Sequence, residues 1–66
     1  MSVNAEQFIG MSKKRAQDVA EFQSLVFRLV SVDGEKFLGY PEEAEPRTDR
    51  ICIEIENGAV VKATVQ

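Results

Sequence analysis

At Leu25 the apolar residues of this chain change their spacing, and that change decides what it can fold into. Before it, Ala16, Val19, Ala20 and Phe22 fall on one broad stripe at the helical period of about 3.6 residues. After it, Leu25-Val26-Phe27-Arg28-Leu29-Val30-Ser31-Val32 is rich in β-branched and aromatic residues and reads as a well-buried strand. A helix followed by strands in one short chain is the pattern of an α+β domain. With 66 residues there is room for one such domain, spanning 1–66, and for a thin core. Neither a disulfide nor a usual structural zinc site can help it. Cys52 is the single cysteine and histidine is absent, so packing has to supply the stability.

The punctuation of the chain is legible. Asn4 precedes Gln7 by three positions, a capping-box spacing for one short turn that Gly10 ends. Ser12 is an N-cap for a helix over Lys13 to Ser24. Lys13, Lys14 and Arg15 oppose the dipole of that helix, and they read as a solvated face or as a docking patch for an acidic partner. Asp33-Gly34 signals a type I′ hairpin, with Glu35 to Leu38 as a short return strand. Ile51, Ile53 and Ile55 alternate with Cys52, Glu54 and Glu56, the pattern of a half-buried strand. Asn57-Gly58 turns the chain into a last strand over Ala59 to Val65. A two-residue turn would set Ile53 against Lys62, mixing apolar and polar on one face. A three-residue turn with Gly58 left-handed sets Ile53 against Val61 and Ile51 against Ala63, and is the predicted register.

Between the strands, Gly39 to Asp49 holds Pro41, Pro46 and the acidic Glu42-Glu43-Ala44-Glu45, with nothing to pack a core. A loop of that length in so small a domain is the place to look for function. Other classes of activity find little support. The net charge of −3 argues against a nucleic-acid binder, and no apolar run is long enough to span a membrane. Lack of histidine excludes Ser-His and Cys-His nucleophile pairs, and there is no glycine-rich phosphate cradle. The carboxylates of Glu42, Glu43 and Glu45 lie on a prolyl loop without the burial that shifts a pKa for acid–base work. The reading is a non-enzyme without cofactor or metal. With no signal peptide visible and a single cysteine, the expected address is the cytoplasm.

Two stretches resemble the potato inhibitor I family of serine protease inhibitors, the group of eglin and the barley chymotrypsin inhibitor, and its bacterial relatives. Phe8-Ile9-Gly10, Ser12, Ala16 and Val19 look like the lead into the family's single helix. Glu45, Arg47, Asp49, Arg50, Ile51 and Ile53 look like the end of its inhibitory loop and the strand after it. Gly39 sits the expected distance before that run, and Glu56-Asn57-Gly58-Ala59-Val60-Val61 is similar to a turn in bacterial and fungal relatives. The resemblance implies one N-terminal helix on a small mixed, antiparallel-rich sheet of about three to four strands, with a long exposed loop. It implies a binding loop of Glu43, Ala44, Glu45, Pro46 and Arg47, with the scissile bond between Ala44 and Glu45. Asp49 and Arg50 would support that loop, Arg50 by reaching Glu45. The partner would be a serine protease of small specificity pocket. The chain departs from the family at Cys52, where a second supporting arginine is usual, and at Pro46, which is commonly aromatic. Some extra residues around Asp33-Gly34 are a further departure. The alternative is a non-inhibitory interaction or structural protein on the same scaffold, a homodimer through a free edge strand.

Overall fold

The computed structural model describes residues 4–41 and 48–66. A 3₁₀ turn, Ala5–Phe8, is followed by α1, Lys13–Phe22, and by strands β1, Val26–Val32; β2, Glu35–Lys36; β3, Arg50–Glu56; and β4, Ala59–Val65. The four strands form one sheet in the order β2-β1-β3-β4. β1 pairs with β3 in parallel, while β1–β2 and β3–β4 are antiparallel. The α+β class is as the residue pattern implies, and the mixed sheet is as the resemblance implies. The 3₁₀ turn and α1 lie on one face of the sheet, where Phe8, Ala16, Ala20, Leu25, Ile51, Ile53, Ile55 and Val60 make a single buried cluster. Fully burying one of its Phe, Leu, Ile or Val side chains is worth about 1.5–3 kcal/mol.

Local chemistry fixes the helix ends. Ser12 Oγ accepts the Arg15 N–H at 3.2 Å, as its N-cap position requires. At the other end α1 stops at Phe22, two residues before the expected Ser24, because Ser24 turns left-handed at φ 59°. The Leu25 N–H then reaches the Ala20 carbonyl at 2.8 Å and the Ser24 N–H reaches Glu21 at 3.0 Å. That is a Schellman motif with Ser in the place usually given to Gly, closed by Leu25 and Ala20 in the core. Phe22 does not share the apolar stripe. It is 90% exposed, since a residue two positions from Ala20 lies about 200° further round the helix. The capping box is also only half made. Asn4 Oδ1 accepts the Glu6 N–H at 3.1 Å, but Gln7 turns away and exchanges hydrogen bonds with Gln23 at 2.9 and 3.1 Å.

The basic trio at the start of α1 is exposed, and Lys14 pairs with Asp18 one turn on at 3.4 Å. With 86% and 62% of the two side chains in solvent, the pair is worth a few tenths of a kcal/mol.

The Asp33-Gly34 tip has the expected conformation, whereas at the Asn57-Gly58 tip only the left-handed Gly58 is as predicted. Asp33 and Gly34 take φ values of 51° and 80°, and Asn57 and Gly58 take 53° and 77°, both pairs left-handed as type I′ turns require. The tips are tied together, for Asp33 Oδ1 accepts the Asn57 N–H at 2.7 Å. The three-residue loop is therefore wrong, and so is the register built on it. Glu56 opposes Ala59 and Ile55 opposes Val60 across a two-residue turn. Val61 is then left without a partner, so that Glu54 opposes Lys62, Ile53 opposes Ala63 and Ile51 opposes Val65. The core face does stay apolar, but a bulge achieves it rather than a longer turn. Val60 and Ala63 are an odd number of residues apart, and only an extra residue between them lets both face the helix.

β1 solves the same problem at the same level of the sheet. Leu29 opposes Ile53 and Ser31 opposes Glu54, leaving Val30 as the extra residue. Phe27 and Leu29 before it, and Val32 after it, all pack against the core. β1 is less buried than its composition suggests. Within it only Val30 is buried, and Val26 is 48% exposed. The return strand is shorter than predicted, Glu35–Lys36 alone, with Phe37 and Leu38 more than half exposed beyond it.

Candidate functional site

Alternate residues of β1, β3 and β4 point away from the helix, and among them Arg28, Glu54 and Lys62 gather about Leu38 to Tyr40. On β3 the residues that point away are Arg50, Cys52 and Glu54. Read as half-buried, the strand should expose them, yet Arg50 is only 4% exposed and Cys52 is fully buried. The surface they share is covered in part by the chain that leaves β2.

That chain first runs along the outer edge of β1. The Phe37 and Gly39 N–H groups both donate to the Val30 carbonyl, at 2.9 and 3.2 Å, and the Leu38 N–H donates to Leu29 at 3.2 Å. Arg28 then takes up the carbonyls on the other side of the same residues. Its Nε donates to the Gly39 oxygen at 2.7 Å and its Nη2 to the Leu38 oxygen at 3.0 Å. Gly39 turns with φ +68°, so the backbone favours glycine; a Cβ there would meet only the end of the exposed Lys36 side chain, which can swing aside. After it Tyr40 reaches across the sheet, its hydroxyl donating to the Glu54 carboxylate on β3. Lys62 on β4 completes the group, 3.8 Å from Glu54 and 5.4 Å from the centre of the Tyr40 ring. Partial burial, and then the neighbouring Glu54 carboxylate, push the Tyr40 hydroxyl well above the ordinary tyrosine pKa, so it remains a donor.

On the far side of the loop the chain is held again. The Asp49 carbonyl accepts the Val26 N–H at 2.7 Å, joining the end of the loop to the start of β1. Arg50 Nε donates to the Gln66 carbonyl at 2.8 Å, while the Gln66 N–H returns to the Arg50 carbonyl at 3.3 Å. The Cys52 thiol lies 3.8 Å from the same Gln66 oxygen.

Of the residues the sequence singles out, Gly39, Asp49 and Arg50 are thus placed at the stem. Glu42, Glu43, Ala44, Glu45, Pro46 and Arg47, and with them the Arg50–Glu45 contact, lie outside the described residues. The sequence reading passes over Arg28, Tyr40, Glu54 and Lys62. A signal for Arg28 is there, a cation inside an apolar strand that burial would penalise without partners. Its partners are backbone carbonyls, and those leave no mark in a sequence. Among the described residues no helix is long and apolar enough to cross a membrane. No protein-family model matches the chain, and neither does any curated protein or solved structure.

Proposed function

We propose that this domain presents Gly39 to Asp49 as a reactive-site-type loop directed at a serine protease. Ala44 is the specificity residue and Ala44–Glu45 the scissile bond; Glu43, Pro46 and Arg47 make flanking contacts, and Asp49 and Arg50 support the base. The observation that carries the reading is the stem. Leu38–Gly39 on one side are hydrogen-bonded to Arg28, Leu29 and Val30 of β1, and Asp49 on the other to Val26 at the start of the same strand, with Arg50 already in β3 and bonded to Gln66. A loop held at both ends loses little entropy when it enters a cleft as an extended strand, and that is how a substrate-like segment becomes an inhibitor.

Ala44 suits a shallow pocket of the subtilisin or elastase kind and cannot fill a deep one. Glu42, Glu43 and Glu45 would be repelled by an acidic cleft, and Pro46 removes one backbone donor. Inhibition is therefore expected to be weak, on the order of micromolar at best. The test measures inhibition constants and cleavage rates of the wild type, Ala44→Leu and Arg50→Ala against subtilisin-, elastase- and chymotrypsin-like enzymes. Ala44→Leu should tighten binding to the subtilisin- or chymotrypsin-like enzyme, at about 0.8 kcal/mol per buried methylene. Arg50→Ala should convert inhibitor into substrate. If neither substitution changes either quantity, the loop is no reactive site and the domain is a non-inhibitory interaction module.

A further inference from the structure

Arg28 spends a positive charge in an unusual way. It sits in the middle of β1, half-buried, and among the described residues it forms no ion pair. Its two hydrogen bonds go to consecutive backbone carbonyls, those of Leu38 and Gly39. Such charge-assisted bonds are stronger than neutral ones, and the planar fork fixes the two oxygens relative to each other. The N–H groups of Phe37, Leu38 and Gly39 are taken by Val30 and Leu29. Leu38 and Gly39 are therefore held through donor and acceptor alike. The bulge at Val30 matters here, because its carbonyl receives two of those donors. The Gly39 turn and the Tyr40–Glu54 hydrogen bond then set the direction in which the chain leaves toward Pro41.

We infer that Arg28 is a positioning residue for the incoming limb of the loop, the counterpart on β1 of Arg50 on β3. By fixing Leu38 and Gly39 it aims the loop from its N-terminal side, independently of whatever holds the tip. The consequence for a protease rests on the inhibitor reading, but the anchoring itself does not.

The experiment compares wild type, Arg28→Ala and Arg28→Lys by three measurements. These are amide hydrogen exchange at Gly39 and Tyr40, the rate at which subtilisin cuts between Tyr40 and Asp49, and the urea unfolding midpoint. Arg28→Ala should speed exchange at Gly39 and loop cleavage by roughly tenfold or more, the loss of a charge-assisted hydrogen bond, while core amides of β3 keep most of their protection. Arg28→Lys keeps the charge and the aliphatic stem, so it folds where the alanine variant fails. It should still fall well short of wild type, because an ammonium lacks the fork that spans two carbonyls. The inference is overturned if both variants leave Gly39 exchange and loop cleavage at wild-type rates. It is equally overturned if exchange rises uniformly over β3 and the loop in step with a lowered midpoint, the mark of a merely structural role. Fast exchange at Gly39 in the variants, together with a wild type that inhibits no enzyme, would uphold the anchor and sink the inhibitor reading.

Discussion

The two faces of β3 come from alternate residues of one strand and have opposite chemistry. Toward the helix, Ile51 and Ile53 are fully buried and Ile55 is 2% exposed. Away from it stand Arg50, Cys52 and Glu54, the first two just as inaccessible. The helix-side face holds by removal from water, which is non-directional and roughly proportional to area. The loop-side face holds by directed bonds. Arg50 is bound to Gln66, Tyr40 to Glu54, and, on the neighbouring strand, Arg28 to Leu38 and Gly39. The difference suggests a division of tasks. An apolar face can hold a fold together without specifying a direction for anything mounted on it, whereas hydrogen bonds can aim a loop but contribute only about 1 kcal/mol each. β3, one of the two inner strands of the sheet, serves both needs, and period-2 alternation lets it do so.

The largest effect that would break this comparison is at the apolar face. Ile53→Ala should cost about 2–5 kcal/mol in a urea or guanidinium titration, enough to unfold much of so small a domain. A loss under about 1 kcal/mol would mean that the helix-side face is not what holds the fold. Next comes the turn that sends each side chain of β4 to its face. Gly58 has φ +77° with nothing near the position of a Cβ, so Gly58→Val would suffer from the backbone alone. The expected loss exceeds about 1 kcal/mol, since a β-branched residue resists positive φ. Unchanged stability would show that the tip can adopt another turn.

The smallest effect belongs to the loop-side face. Tyr40→Phe removes one hydroxyl and should cost about 0.5–1.5 kcal/mol at neutral pH. Its pH dependence sharpens the contrast. Because the folded protein raises the Tyr40 pKa, the unfolded chain gives up that proton first as pH rises. The hydroxyl's contribution is therefore complete below the unfolded tyrosine pKa of about 10 and is lost as pH climbs above it. Stability curves of wild type and Tyr40→Phe, run from pH 8 to 11, should stay parallel to about pH 10 and then converge. Curves that remain parallel throughout would remove Tyr40 from the polar group.

Much of the fold could be read from the residues, and the places where reading failed share a cause. Ser12 as a cap, Asp33-Gly34 as a left-handed turn, Gly58 as a left-handed residue, and the buried faces of Ala16 and of Ile51 and Ile53 all follow from neighbours in sequence. Phe22 was misplaced by too generous a stripe. The ladder failed for a subtler reason. Val60 against Ala63, and Leu29 against Val32, break the alternation of their strands. Such a break can be repaired by a longer turn or by a bulge. The choice depends on what the neighbouring strand offers, and β3 offers a regular strand with bulged partners on both sides.

Backbone preference and hydrophobic period act within a few residues, and they make the α+β class, the order of the elements, the Asp33-Gly34 turn and most of the helix-facing residues legible in the chain. Long-range pairing is what sets β1 parallel beside β3, bulges both flanking strands beside Glu54, and brings Arg28 and Tyr40 to the stem of the loop. Those features depend on hydrogen bonds between residues ten or more apart in the chain. Their acceptors are mostly backbone carbonyls, which every residue carries and no sequence pattern distinguishes.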